Sequence, residues 1–176
     1  MKKAIIFSVM LVLALGLFSC NGKKSKGLSI TEETTSQKAS EKDLDYVDLG
    51  LPSGTLWKNA NEGGDDALYT YDEAVSKFGD KLPTNEQFKE LKNECTWTRI
   101  GNGYKVTGPN GVSITLPAAG FRNGNGGVDH VGSYGCYWSS TPSGSKTAWY
   151  LFFDSSEVGV YNLNRRFGLS VRLVQN

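Results

Sequence analysis

The 176-residue chain has little of the chemistry on which catalytic and metal sites usually depend. It contains one histidine and three cysteines, so a histidine-based metal cage or a histidine relay is not expected. Nineteen basic and 18 acidic residues give a formal net charge of +1, which provides no basic field for nucleic acid. There are only five prolines but 21 glycines, and they separate short apolar runs. The composition therefore favours many short strands and loops over a helical bundle.

The longest apolar run stands near the N-terminus. Lys2 and Lys3 precede residues 4–18, a stretch that is short for a membrane span but typical of a secretory signal. The run ends in Leu-Phe-Ser-Cys, which resembles the bacterial lipobox, in which the cysteine becomes the lipidated first residue of the mature protein. We therefore predict a lipoprotein signal peptide at residues 1–19 and a lipid on Cys20 that anchors the protein in a membrane. The alternative is an ordinary signal peptide in which Cys20 is incidental.

A polar stretch separates this signal from the rest of the chain. Residues 20–43 contain many Ser, Thr, Lys and Glu residues and almost no large apolar side chains. Such a segment buries too little surface to offset its chain entropy, so it is predicted to be a disordered tether. A flexible coil of this length reaches roughly 25 to 30 Å. The folded domain is predicted to cover residues 44–176.

The domain is predicted to start with a hairpin and an acidic loop. Residues 46–49 alternate in polarity, and a Pro-Ser-Gly turn after them leads to residues 55–57 as the returning strand, which predicts two short strands. The loop at residues 59–66 holds three carboxylates. Their spacing lacks the Asp-x-Asp-x-Asp pattern of a calcium loop, so a solvated loop without metal is expected.

Two helices are predicted next. Residues 71–78 have apolar side chains at helical spacing and are followed by Gly79 as a stop signal. Thr84 is placed to cap a second helix, and Gln87 is the reciprocal partner of a capping box. The apolar stripe of this second helix begins at Phe88.

The second half of the domain is predicted to consist of short strands. Residues 97–100 and 104–107 have strand composition, and an Asn-Gly turn joins the second of them to residues 112–116. Residues 148–153 are apolar with aromatic rings on both alternating faces, which predicts a central strand covered on both sides. A shorter strand is predicted at residues 158–161. Helices in the first half and strands in the second favour an α+β fold class over alternating βαβ units.

The last predicted strand covers residues 168–174. Its odd-numbered residues are apolar, whereas Ser170 and Arg172 are polar. This period of two is typical of a strand that has one face in the core and the other in solvent.

Five stretches of the chain occur in the order typical of one known family. They are YVDLGLPSGTLW at residues 46–57, KLPT at 81–84, LPAAG at 116–120, YWSST at 137–141 and GLSVR at 168–172. Together they resemble the Fibrobacter succinogenes major paralogous domain family, which is abundant in secreted and lipid-anchored proteins of Bacteroidetes. The resemblance covers about residues 46–175. It implies a C-type-lectin-like fold, with two helices, a small antiparallel sheet core and long loops.

The same fold occurs in enzymes and in lectins, and their motifs can be compared with this chain. Residues 132–136 are faintly similar to an active-site stretch of formylglycine-generating enzymes, but those enzymes need a second cysteine, which residues 138–143 lack. The Glu-Pro-Asn, Gln-Pro-Asp and Trp-Asn-Asp motifs of calcium-dependent lectins are also missing. Neither that enzymatic activity nor calcium-dependent sugar binding is therefore expected. The end of the chain is also similar to the hypervariable receptors of diversity-generating retroelements, which is a further hypothesis.

Aromatic, amide and guanidinium side chains are concentrated near the end of the chain. Tyr and Trp provide rigid contact area, Asn provides adaptable hydrogen bonds, and adjacent arginines can grip a carboxylate or a sulfate. We therefore predict a ligand-binding surface in the C-terminal loops that contains Trp149, Tyr161, Asn162, Asn164, Arg165 and Arg166. The alternative is that Trp149 lies in the core and the arginines are solvated. Trp138 is assigned to the core, since the Ser-Ser after it suits a buried turn.

The remaining cysteines and the histidine give only weak indications of a disulfide or of catalysis. In an oxidising compartment Cys95 and Cys136 could form one disulfide. The resembling family has Tyr at the position of Cys136, so such a bridge would be a local variation. His130 follows Asp129, but nothing like a nucleophile elbow accompanies them, and a loop histidine is expected.

These observations predict a noncatalytic, lipid-anchored binding module of the cell envelope that recognises a glycan or a protein. The expected location is the outer membrane, on the cell surface or the periplasmic face. The expected partners are the membrane, through the lipid on Cys20, and the ligand, with no cofactor, metal or nucleic acid. Two alternatives stay open: a structural component of a surface assembly, and an enzyme related to formylglycine-generating enzymes.

Overall fold

The computed structural model describes residues 45–176. The predicted signal peptide, the predicted lipidation site Cys20 and the predicted tether lie outside the described residues. Within residues 45–176, no helix combines the length and the apolar character needed to cross a membrane.

Two short helices both begin at capping boxes. Helix α1 covers Tyr71–Phe78 and helix α2 covers Asn85–Glu94, and a 3-10 turn at Gly79–Lys81 follows α1. At the start of α2, the Thr84 hydroxyl accepts a bond from the Gln87 N–H at 3.2 Å, and the Gln87 side chain accepts from the Thr84 N–H at 2.8 Å. Both predicted helices and the predicted capping box of α2 are confirmed. A capping box joins residues that lie within one helical turn of each other, so the sequence alone was enough to predict it.

The strands of the described residues form four small antiparallel sheets. In chain order they are β1 (Tyr46–Asp48), β2 (Leu56–Lys58), β3 (Thr96–Ile100), β4 (Gly103–Thr107), β5 (Ser113–Pro117), β6 (Phe121–Arg122), β7 (Val128–Asp129), β8 (Gly135–Pro142), β9 (Thr147–Phe153), β10 (Val158–Asn164) and β11 (Val174–Gln175). Their orders within the sheets are β1-β2-β11, β3-β4-β5, β6-β7 and β10-β9-β8. The predicted mixture of helices and short antiparallel strands is confirmed.

The sheet formed by β8, β9 and β10 separates two hydrophobic clusters. The first core cluster includes Leu49, Trp57, Phe88, Leu91, Leu151 and Phe153. The second core cluster includes Tyr71, Ala74, Trp138, Ala148, Leu169 and Val171. Strand β9 contributes to both clusters and pairs with a strand on each side, so the predicted central strand covered on both faces is confirmed.

Trp138 occupies the core, as predicted. It is fully buried in the second core cluster, and its indole N–H donates to the carbonyl of Tyr69 at 2.8 Å. This bond satisfies the polar atom of a ring that otherwise makes only apolar contacts.

The segment at residues 168–174 differs from its prediction. It is extended, but only isolated bridges join it to Tyr69, Arg122 and Tyr137, and regular pairing begins at β11. Both of its faces are buried, so the predicted half-exposed strand is wrong. The alternating pattern failed here because the polar side chains of this segment face protein groups instead of water.

Arg172 is the clearest case, since its side chain is only 1% exposed. Its Nε and Nη2 donate to Asn61 Oδ1 at 3.1 and 2.7 Å, Nη1 donates to the Lys58 carbonyl at 2.9 Å, and Nη2 also donates to the Thr115 carbonyl at 2.8 Å. Within residues 45–176 no carboxylate lies in ion-pair distance of it. Three neutral oxygens from two separate parts of the chain therefore hold this buried cation.

Candidate functional site

The six side chains predicted to bind a ligand do not form one surface. The register of β9 and β10 pairs Trp149 with Asn162, and Asn164 stands on the same face. Tyr161 pairs with Tyr150 and therefore points to the opposite face. The structure thus brings Trp149 and Asn162 together and separates them from Tyr161. The strand continues to Asn164, beyond the end predicted for it, so neighbouring residues alternate between faces.

The two arginines after β10 have different environments. The Arg165 guanidinium donates to the carbonyls of Thr147 at 3.2 Å and Gly144 at 2.8 Å, and it lies 4.7 Å from the centre of the Tyr71 ring. Arg166 is exposed, with its guanidinium 5.7 Å from the ring of Phe167. Arg165 is therefore engaged within the fold, whereas Arg166 retains a solvent-facing charge. A ligand-binding role for either one stays a prediction.

The face of the sheet to which Tyr161 points carries an open cavity of about 150 Å³. We call it the aromatic pocket, and it is lined by Phe121, Tyr134, Cys136, Tyr150, Phe152, Leu163 and Phe167. Its walls come from β6, β8, β9 and β10 and from the loops before β8 and after β10. Because most of the lining atoms are carbon, the pocket suits an apolar group.

Residues 109–174 match a family described as a domain of unknown function (DUF8237). No curated protein and no solved structure matches the chain. The matched segment contains all seven residues that line the aromatic pocket.

Ring contacts fix the walls of the pocket. Tyr134 meets Phe152 edge-on with ring centres 5.1 Å apart, and Phe152 also contacts Tyr150 at 6.4 Å and Tyr161 at 6.2 Å. Edge-to-face pairs of this kind add stability beyond the area they bury. The open side of the pocket is therefore bordered by side chains that hold one another in place. Tyr161, which is 43% exposed, does not line the pocket but contacts Phe152 in its wall.

His130 supports the same wall from outside. Its ring stacks on Tyr134 with centres 4.2 Å apart and on Phe121 at 5.6 Å. Its backbone has a φ of 60°, which is the sole positive φ outside glycine in the described chain. Histidine is among the residue types that tolerate this region better than most, and its carbonyl accepts bonds from the N–H groups of Ser133 and Tyr134. The predicted loop histidine thus has a packing role beside the pocket.

Cys136 lies at the base of the aromatic pocket. Its side chain is buried, and this burial raises the pKa of the thiol to about 12. Near neutral pH the group is therefore a neutral thiol, which is a weak nucleophile. Burial likewise raises the pKa of the neighbouring Tyr150 hydroxyl to about 12.

The disulfide considered between Cys95 and Cys136 is not formed, and both thiols are free. Cys95 follows α2 and packs against the first core cluster, whereas Cys136 belongs to the second. The β8–β10 sheet separates these clusters. Burial and the nearby carboxylates of Glu90 and Glu94 raise the pKa of Cys95 to about 11.

A second, polar cleft has a volume of about 350 Å³. Its charged residues are Asp45, Lys58, Glu62, Lys77 and Lys81, and Lys58 forms an ion pair with Glu62. The charges largely balance, so the cleft has no strong preference for an anion. In the part of the chain that the structure describes, no three Cys, His, Asp or Glu side chains are grouped to hold a metal ion.

Sequence reasoning missed most of the aromatic pocket. The alternation in residues 148–153 predicted aromatic rings on both faces of β9, which was the available signal for Tyr150 and Phe152. Phe121, Tyr134 and Phe167 come from loops and a two-residue strand that have no periodicity. Their convergence depends on long-range packing, so no local pattern could have indicated it.

Proposed function

We propose that this protein is a noncatalytic binding module in which the aromatic pocket receives an apolar group of the ligand. The observation that carries the proposal is an apolar cavity that opens at the surface and is surrounded by interlocking aromatic rings. Ligand sites are typically concave and mainly apolar, and their walls are usually formed before the ligand binds. Closed cores seldom leave a cavity of this kind open to solvent.

The volume of the pocket limits what it can hold. A cavity of about 150 Å³ with apolar walls can accept a single aromatic ring. A whole sugar ring would need several hydrogen-bonding partners, and the pocket offers few besides the hydroxyl groups of Tyr134 and Tyr150. Of the two predicted ligand classes, the pocket therefore favours a protein, from which one aromatic or branched aliphatic side chain would enter.

The setting of this module is part of the same proposal. We assign it to the Fibrobacter succinogenes major paralogous domain family, with a C-type-lectin-like fold, on the five motifs described above. Two capped helices and small antiparallel sheets are compatible with that fold. A lipid on Cys20 would hold the domain at the outer membrane, so the ligand would be a component of the cell envelope or its surroundings.

Filling the pocket tests the proposal. Cys136→Leu adds volume at the base of the cavity without adding charge, and the domain should stay folded because the site is already apolar. Cys95→Ala removes the other thiol of the described domain and serves as the matched control. We expect p-cresol and toluene to shift NMR signals of residues around the pocket in the wild type and in the control, but not in Cys136→Leu.

The physiological ligand class requires a second measurement. A random peptide library displayed on phage and a glycan array, with calcium and with chelator, would be probed with the wild type and with Cys136→Leu. Peptide clones that need the open pocket would support a protein ligand. If the wild type binds a glycan and Cys136→Leu does not, the ligand is a sugar and the proposed protein ligand is wrong. If neither probe distinguishes the two variants, the pocket is not the binding site.

Two other functions have specific observations for or against them. The enzyme alternative requires a reactive Cys136, and the burial and raised pKa of that thiol disfavour it. The structural alternative requires extended contact along an open sheet edge, and β10 provides such an edge.

A further inference from the structure

Strand β10 lacks the features that normally keep sheet edges from pairing. It is the outer strand of its sheet, and its seven residues, VGVYNLN, include no charged residue and no proline. Its register with β9 runs without a bulge from Val158 opposite Phe153 to Asn164 opposite Thr147. Exposed edges are usually protected by charges, prolines, bulges or short length.

The other long edge strands of the described residues do carry such protection. Strand β3 contains Arg99, β5 ends at Pro117, and β8 has a register shift before Pro142. The remaining edge strands, β1 and β11 among them, are three residues long or shorter. The unprotected edge is thus a particular property of β10.

The main chain of β10 offers free hydrogen-bonding groups. The turn before it is closed by a bond from the Asp154 N–H to the Glu157 carbonyl at 3.1 Å. Because bonded and non-bonded pairs alternate in an antiparallel ladder, the N–H and C=O groups of Val158, Val160 and Asn162 point away from β9. Within residues 45–176 these groups have no main-chain partner.

The charges at the two ends of β10 indicate what can pair with it. The acidic residue Glu157 precedes the strand, and the basic residues Arg165 and Arg166 follow it. A second copy that runs antiparallel would bring the acidic end of each strand beside the basic end of the other. The formal net charge of +1 adds little repulsion between copies. Charge and hydrogen bonding are therefore complementary to a second molecule of this chain.

We propose that the protein forms a symmetric dimer in which two β10 strands pair antiparallel about a two-fold axis at Tyr161. This register sets Val160 opposite Asn162 of the second copy, so that the free groups of both strands meet. It also sets Glu157 opposite Arg165 in register and brings it beside Arg166, whose guanidinium is the one that faces solvent. The two three-stranded sheets then become one sheet of six strands.

The dimer would also extend the aromatic pocket. Tyr161 and Leu163 lie on the pocket face, and Leu163 lines the pocket itself. In the proposed register, Tyr161 of the second copy lies diagonally across from Leu163, within reach of an aromatic side chain. Each pocket would gain a ring from the other copy, although dimer formation itself does not depend on ligand binding.

A matched pair of substitutions at Asn162 tests the main-chain pairing. Asn162→Pro removes an outward N–H without removing a bond to β9, whereas Asn162→Ala removes only the exposed side chain. We expect the wild type and Asn162→Ala to show a dimer mass that rises with concentration in analytical ultracentrifugation. Asn162→Pro should dimerise on the order of tenfold more weakly, since each dimer loses two hydrogen bonds. Circular dichroism melting establishes that both variants are folded.

A cysteine at the axis tests the register. Residues directly opposite in a non-bonded pair have Cα atoms about 4.5 Å apart, which is within the range of a disulfide. Oxidised Tyr161→Cys should therefore give a covalent dimer faster than Val131→Cys, an exposed control outside the strand, with the wild type showing the background from its own thiols.

Equal rates for these two cysteine variants would overturn the register. A wild type that stays monomeric at every concentration would contradict the proposed dimer. Binding of β10 to a strand of another protein would not change that conclusion. Equal dimerisation of Asn162→Pro and Asn162→Ala would also overturn it.

Discussion

Arg172 places a positive charge inside the domain and compensates it with neutral oxygens. Its partners, Asn61 and the carbonyls of Lys58 and Thr115, belong to a loop and to two different sheets. Burial lowers the pKa of its guanidinium, but an arginine retains its charge through the range in which proteins fold. A single side chain therefore ties the final segment to two distant parts of the chain, residues 58–61 and Thr115.

We predict that Arg172→Ala lowers the free energy of unfolding by about 3 kcal/mol or more, because several buried acceptors lose their donor at once. Urea denaturation followed by fluorescence measures the change. Arg166→Ala, at an exposed position, should change stability by less than about 0.5 kcal/mol. A loss at Arg172 no larger than the loss at Arg166 would show that water replaces the guanidinium without penalty.

Buried protons give the domain a specific dependence on pH. Burial raises the pKa of Cys95 to about 11 and those of Cys136 and Tyr150 to about 12. The unfolded chain therefore releases these protons at a lower pH than the folded state does. Over the pH range in which the folded state binds more protons, the free energy of unfolding falls as the pH rises. This contribution is fully present below the ordinary thiol pKa of 9.0 and is lost as the pH rises toward 12.

The expected result is a melting temperature that falls as the pH rises above 9.0, the ordinary thiol pKa. Calorimetry across that range measures it. Cys136→Ala should flatten part of the slope, because one of the raised groups is removed. An unchanged slope in this variant would assign the alkaline loss to Cys95 and Tyr150 instead.

At the scale of the elements, the helices and the final segment differ in how far the sequence predicts them. The boundaries of α1 and α2 follow from caps and stop signals that lie within a few residues of each helix end. The burial of Arg172 depends on groups up to 114 positions away along the chain. The alternating sequence of residues 168–174 predicted that this segment has two different faces. Which residues of the protein cover each face is decided by tertiary packing, and the sequence pattern does not show it.

The capping box of α2 should contribute measurably to stability. Thr84→Ala removes the acceptor for the Gln87 N–H and is expected to cost about 1 kcal/mol. The Gln87 side chain keeps its bonds to the backbone N–H of residue 84, to Thr55 and to Asn176 in this variant, so the expected loss is that of the hydroxyl cap alone. Chemical denaturation of Thr84→Ala, compared with the exposed Thr98→Ala, measures the effect. Equal stability of the two variants would contradict a role for the cap.

At the scale of the whole molecule, the candidate site was harder to predict than the fold class. The composition and the order of short patterns led to the correct mixture of helices and antiparallel strands. The sequence placed Trp149, Tyr161 and Asn162 in one surface because they are close along the chain, but strand alternation puts Tyr161 on the other face. The aromatic pocket collects rings from residues 121 to 167, and only the folded arrangement brings them together.

The buried position of Arg172 also has a consequence for how the domain is made. A ribosome produces the hairpin of β1 and β2, the loop with Asn61 and strand β5 long before it reaches this residue. Until then the acceptors that Arg172 serves have no donor, and β2 lacks its pairing with β11. The core of the domain therefore cannot close before residues 172–175 have been synthesised, although most of its other strands already exist by then.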